Sequence, residues 1–88
     1  MSILDDEILI NLKLLDDLGY KDRLNLNLRQ TAQVIGVTAP TIDNWRKQGL
    51  IEALAVGGRI LYPKIKIAEF QARKRLELEL LENSEQEV

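Results

Sequence analysis

The chain contains neither cysteine nor histidine. Without thiols there is no disulfide framework and no thiolate nucleophile, and without both residue types the usual zinc-binding sets are gone. The side chain that most often serves as a general base near neutral pH is missing too. Aromatic residues are few: one Trp, one Phe and two Tyr. No apolar run approaches the roughly 18 to 20 residues that a membrane span needs. The opening segment, MSILDDEILI, is acidic where a secretion leader would be basic. These absences argue against an enzyme, a bound metal or cofactor and a membrane partner, and they make the cytoplasm the expected setting. What is present is 88 residues, 45% of them apolar and 30% charged. That composition suits one small folded domain and no second core.

The formal net charge of -2 argues at first sight against a nucleic-acid partner. Resolved along the chain, it divides into three parts. Residues 1–20 set Asp5, Asp6, Glu7, Asp16 and Asp17 against Lys13, a balance of -4. Residues 76–88 hold Glu77, Glu79, Glu82, Glu85 and Glu87 and no base, a balance of -5. Between them Lys21, Arg23, Arg29, Arg46, Lys47, Arg59, Lys64, Lys66, Arg73, Lys74 and Arg75 face only Asp22, Asp43, Glu52 and Glu69, a balance of +7. The chain is a basic module between two acidic arms.

Residues 1–27 read as an acidic amphipathic helix and a connection. Ser2 is placed to cap a helix from Ile3 to Leu18, Asp5, Asp6 and Glu7 suit its positive end, and Gly19 can stop it. Leu4, Ile8, Leu12 and Leu15 recur at helical spacing. Ile10, Leu14 and Leu18 form a second stripe, so the apolar face is wider than one contact requires. The surplus either packs on the chain's own domain or buries a partner chain. Leu28, Ala32 and Ile35 then line one face of a short helix that Gly36 ends. Thr38 stands at a capping position before a second short helix over 39–48, with Pro40 in its first turn, where a missing N–H leaves no bond unmade. Ile42 and Trp45 form that helix's buried stripe, and Trp45 is read as core. LIEALAV and RILYP, on either side of Gly57 and Gly58, predict a two-stranded hairpin within 50–63. Lys64 to about Glu82 predicts a long last helix with Ile65, Ala68, Ala72, Leu76 and Leu80 along one line, followed by a frayed acidic tail. Residues 71–88 are its outer part.

Two short helices joined by a glycine-containing turn make a helix-turn-helix. Ala32 stands where the helices cross, Gly36 can take the left-handed conformation that reverses the chain, and Ile42 and Trp45 fix which face of the second helix points outward. Ile35 and Val37 fill the corner.

With the motif in place, residues 28–70, LRQTAQVIGVTAPTIDNWRKQGLIEALAVGGRILYP followed by Ile67 and Phe70, closely resemble the small winged helix-turn-helix domains of the excisionase and AlpA-like group, within the MerR-like superfamily. Small-terminase DNA-binding domains of phages look similar. The arms fall outside the resemblance. It implies a mainly α fold with a small β-hairpin, to which the arms add an extra N-terminal helix and a long C-terminal helix. It also implies a recognition helix in the major groove of double-stranded DNA, with the hairpin as a wing against backbone or an adjacent groove, in a phage or another mobile element. The outward face of that helix is then Ala39, Pro40, Thr41, Asp43, Asn44 and Lys47. Asn44 is the best candidate for a base contact, because an amide can pair bidentately with adenine. Thr41 can reach a base or the backbone, Arg46 and Lys47 suit phosphate, and Thr38 with the free amides beside it can hold one more. Arg59 at the wing tip suits phosphate or a narrow minor groove.

The sequence departs from the pattern at Ala39 and Pro40, where relatives often carry a donor, and at Asp43, an acid facing DNA. Ala39 and Pro40 could touch thymine methyls. Asp43 either accepts from cytosine N4 or pairs with Arg46 or Lys47. Lys64, Lys66, Arg73, Lys74 and Arg75 are either a solvated helix face or backbone contacts. So few donors imply modest affinity per protomer, hence a homodimer, for which Leu4, Ile8, Ile10, Leu12, Leu14, Leu76 and Leu80 are the candidate contacts. The expected role is a small transcriptional regulator or an excisionase-like architectural factor acting with a recombinase. A protein–protein adaptor and a terminase-like packaging component are the alternatives.

Overall fold

The computed structural model describes residues 2–86. Ser2 caps α1 (Ile3–Leu15) as expected: its hydroxyl accepts from the Asp5 amide at 3.1 Å, and the Asp5 carboxylate accepts from the Ser2 amide at 3.4 Å. The helix then widens into a π turn over Asp16–Tyr20, and Gly19, at φ 108°, ends it. The elements that follow are β1 (Asn25–Leu26), α2 (Leu28–Ile35), α3 (Ala39–Lys47), β2 (Leu54–Val56), β3 (Arg59–Pro63) and α4 (Lys64–Gln86). The predicted hairpin pairs Leu54 with Leu61 and Val56 with Arg59. Its outer neighbour is β1, antiparallel to β3 with Asn25 opposite Pro63, so the sheet has three strands in the order β1-β3-β2. The fold is mainly α with this small sheet, and it fits a winged helix-turn-helix that has an extra helix before it and a long one after.

The core gathers Leu15 from α1, Leu26 from β1, Ala32 from α2, Ile42 from α3, Tyr62 from β3 and Ile67, Ala68 and Phe70 from α4. Thr31 is fully buried, and its hydroxyl is satisfied by donating to the Asn27 carbonyl at 2.8 Å. Against α4, helix α1 runs antiparallel: Asn11 Nδ2 donates to the Ala68 carbonyl at 3.0 Å, Arg75 pairs with Glu7, and Lys64 pairs with Asp16 at 2.8 Å. Lys64 also donates to the Tyr20 and Lys21 carbonyls, at 3.1 and 3.3 Å, closing the end of the N-terminal helix.

The inner line of α4 differs from the one its spacing suggested. Ala68 and Ala72 are buried and Leu76 is half-buried, but Ile65 is 53% exposed and Leu80 69%. Ile67 and Phe70 point inward instead. The helix has several neighbours, α1 on one side and α2, β3 and the Trp45 ring of α3 on others, so its buried surface is broader than one stripe. It also continues past Glu82 to Gln86. The end of the tail, Glu87 and Val88, lies outside the described residues. Among the described residues, no helix is long and apolar enough to cross a membrane.

Candidate nucleic-acid interface

Helix α2 opens on a reciprocal cap. The Asn27 amide donates to Gln30 Oε1 at 3.0 Å, and the Gln30 amide donates to Asn27 Oδ1 at 2.8 Å. It closes at Gly36, whose φ of 92° lies where a side chain would be strained. The Gly36 and Val37 amides both donate to the Ala32 carbonyl, at 2.8 and 3.0 Å, which turns the chain sharply into α3. Ala32, 5% exposed, sits at the crossing.

Helix α3 is held by its inner face. Ile42 is fully buried, and the Trp45 ring packs on Phe70 with centroids 5.2 Å apart. Trp45 is thus a core contact. Pro40, Asn44, Lys47 and Gln48 are exposed, and Thr41 is half-exposed. Ala39 is half-buried against the core, which turns its methyl partly away from any groove. Thr38 occupies the N-cap position, yet its hydroxyl makes no capping bond; it is bonded to the Thr41 hydroxyl at 2.9 Å. Pro40 brings no amide hydrogen and the Thr41 amide donates to the Thr38 carbonyl at 3.1 Å. The first turn therefore offers fewer free amides to a phosphate than the sequence suggested.

Asp43 is clamped by its own helix. Arg46 lies 2.7 Å from its Oδ1 and Lys47 lies 3.1 Å from its Oδ2. The Arg46 hydrogen bond, and after it the Lys47 one, holds the Asp43 carboxyl below its ordinary pKa. Asp43 in turn holds the Arg46 guanidinium above its own. Burial pushes the Tyr62 hydroxyl up, with Arg46 acting against it. Arg46 is thus drawn toward β3 and away from solvent, with its side chain 26% exposed, whereas Lys47 is 63% exposed. The acid facing outward is neutralised, and the three charges together leave one positive.

The hairpin turns on Gly57 and Gly58, both at positive φ, the two-residue turn whose twist matches paired strands. Arg59 follows it, exposed at the tip. Among the described residues, Arg59 makes no ion pair, and neither do Lys21, Arg23 and Arg29. Lys64, Lys66, Arg73, Lys74 and Arg75 each face a carboxylate of the chain within 4.0 Å. One residue beside the site escaped the list of candidate contacts: Gln48, the C-cap of α3, four residues after Asn44, continues the exposed amide face. Helical spacing was the signal for it, but Gly49 beside it reads as the helix end.

Of the candidate dimer contacts, Ile8 and Leu12 pack half-buried against the chain's own core, and Leu4 and Leu76 are half-buried. Ile10, Leu14 and Leu80 are exposed. The helix-turn-helix domain family matches residues 26–75, from β1 through the first half of α4. No curated protein and no solved structure matches the chain.

Proposed function

The chain belongs to the helix-turn-helix domain family, and from that membership we propose that it is a sequence-specific double-stranded DNA-binding protein. It lays α3 in the major groove, sets Arg59 of the hairpin against backbone or an adjacent minor groove, and acts as a homodimer. The observation that carries the reading is the division of α3. Ile42 and Trp45 hold one side down, and Asn44 stands exposed on the other, its side-chain amide making no hydrogen bond among the described residues. A free amide on a fixed helix can make the bidentate contact that reads adenine. Thr41 and Gln48 flank it for a base or the backbone. Lys47 and Arg59 supply phosphate contacts, and with them the salt-dependent share of affinity. Thr38 and Pro40 lie close enough to the helix start to line the groove. The role is that of a small transcriptional regulator or an excisionase-like factor, paired with a recombinase in the second case.

Selection of bound duplexes from a random pool tests the proposal. A single enriched motif is expected, with half-sites about one helical turn apart or a multiple of it. Affinity should fall steeply between about 50 and 200 mM salt. A pool that shows no enrichment at the low-salt end overturns the reading. The exposed leucines of α1 and α4 favour a protein–protein adaptor as the second reading. Replacing Asn44, Lys47 and Arg59 together with Ala separates the two: an adaptor keeps its function, and a DNA-binding protein loses it.

A further inference from the structure

Helix α1 leaves one face uncovered by the chain itself. Ile3, Ile10, Leu14 and Leu18 are 70%, 55%, 55% and 64% exposed. Positions i, i+7 and i+11 return to nearly the same side of a helix with 3.6 residues per turn, and Leu18 continues the stripe one turn further. Beside its C-terminal half lies an open groove of about 210 Å³, walled by Leu14 and Leu18, by Val34 and Ile35 of α2, and by Ile67 and Gln71 of α4.

We infer that this stripe is a self-complementary surface on which two copies of the chain pair through antiparallel α1 helices, with the two-fold axis close to Ile10. The inference rests on the dimeric reading above and supplies its interface. Charge selects the occupant and the direction. Lys13 is the only cation of the acidic first arm, it is exposed, and among the described residues it has no carboxylate partner. Asp6 lies seven residues before it, on the same flank of the stripe, and is likewise exposed. A two-fold antiparallel contact about Ile10 sets Lys13 of each copy opposite Asp6 of the other. The same arrangement brings Asp17 to the positive N-terminal end of the facing helix. It also carries Ile3, the most exposed aliphatic residue of α1, toward the partner's groove between Leu14 and Leu18. A parallel pair would bring the acidic first turns of the two copies level with each other. Pairing through the outer half of α4 would do the same with Glu77, Glu79 and Glu82, which surround Leu78, Leu80 and Leu81. The contact is small beside the roughly 1,200 to 2,000 Å² of a standard interface. Free association should therefore be in about the micromolar range, with two half-sites on DNA adding the rest.

Sedimentation equilibrium of the full chain over about 1 to 100 µM tests this, with half-site DNA binding followed separately by fluorescence anisotropy. The expected mass rises with concentration to that of two chains. Ile10→Glu, at a residue that packs on nothing in the core, should hold the chain monomeric while half-site binding persists. Lys13→Asp should weaken association about tenfold or more, and so should Asp6→Lys. The two together should restore it, because the exchanged charges again meet opposite signs. A dimer that survives Ile10→Glu, or a double variant as weak as the singles, overturns the surface or its direction. A monomer at every concentration, and on a duplex with two half-sites, overturns the pairing altogether. Retained half-site binding in that case leaves the DNA reading standing, and loss of it removes that reading as well.

Discussion

The α2–α3 unit and the α1–α4 pair are both pairs of packed helices, but they are held together differently. In the first, the fit comes from residues that admit few substitutes: Ala32 at the crossing, Gly36 in a left-handed turn, Ile42 with no exposed surface. In the second, aliphatic residues are in surplus, and the helices are registered by polar ties: Asn11 to the Ala68 carbonyl, Lys64 to Asp16, Arg75 to Glu7. A pair of the first kind fixes one face outward and can present a reading surface. A pair of the second kind leaves apolar residues over, and those are free to meet another chain. The ties also change the meaning of the charge pattern. Lys64 and Arg75 belong to the basic module by sequence, yet both neutralise the acidic first arm in space. Within the basic module, the positive charge left for a partner sits at the Asp43 clamp, where Arg46 and Lys47 exceed the acid by one, and at Arg59, Lys21, Arg23 and Arg29, which make no ion pair among the described residues.

The widest test of this contrast is truncation on each side. Ile42→Ala removes a side chain with no exposed surface at the centre of the tight unit, and should cost about 2 to 5 kcal/mol of stability. In a domain this small that can unfold a large share of the molecules. Leu80→Ala, at a residue 69% exposed on the outer half of α4, should change stability by less than about 0.5 kcal/mol. Urea unfolding of the two variants checks both, and comparable losses would erase the distinction.

That asymmetry also explains what could be read from the sequence. The helix-turn-helix was legible because its geometry demands particular residue types at fixed spacing, and Ala32, Gly36 and Ile42 each satisfy one such demand. The α4 stripe was not. A helix with several neighbours buries more than one line of residues, so spacing alone favoured Ile65 while packing chose Ile67 and Phe70. Strand β1 was visible only as part of a connection, because two residues become a strand through the β3 edge they meet. Asp43 was undecidable because cations at i+3 and i+4 fit a clamp and a DNA-facing helix equally well. The distances decide for the clamp.

On the reading surface the effect should appear in binding and leave the fold alone. Asn44→Ala removes an exposed side chain, so unfolding should be unchanged. Discrimination between the selected duplex and its single-base variants should fall by about 1 to 3 kcal/mol at one position. Competition binding with a panel of point-changed duplexes measures it. A uniform loss across the panel would mean that Asn44 touches backbone and reads no base.

A smaller change is expected from loosening the Asp43 clamp. Asp43→Asn removes a negative charge from the outward side of α3 and releases Lys47, already 63% exposed. If Lys47 then gains a phosphate contact, the slope of log K against log salt should steepen by up to about 0.9. Non-specific DNA should gain at least as much as the selected site. An unchanged slope would mean that Lys47 already reaches phosphate with Asp43 in place.

The same clamp sets the smallest effect, in the acid range. The folded pKa of Asp43 lies below its unfolded value because Arg46 and Lys47 favour the carboxylate. In the acid range the unfolded chain therefore binds the proton first, and stability rises with pH there. The share owed to Asp43 is complete above the ordinary aspartate pKa of about 3.9 and is lost as the pH falls through the depressed folded value. Partial exposure of the carboxylate keeps that share small. With no histidine to titrate, stability should be nearly level from about pH 6 to 8. Urea midpoints measured between about pH 5 and 2.5 should decline more gently in Asp43→Asn than in the parent chain. Parallel profiles would show that the clamp orders the surface of α3 without holding the tight unit together.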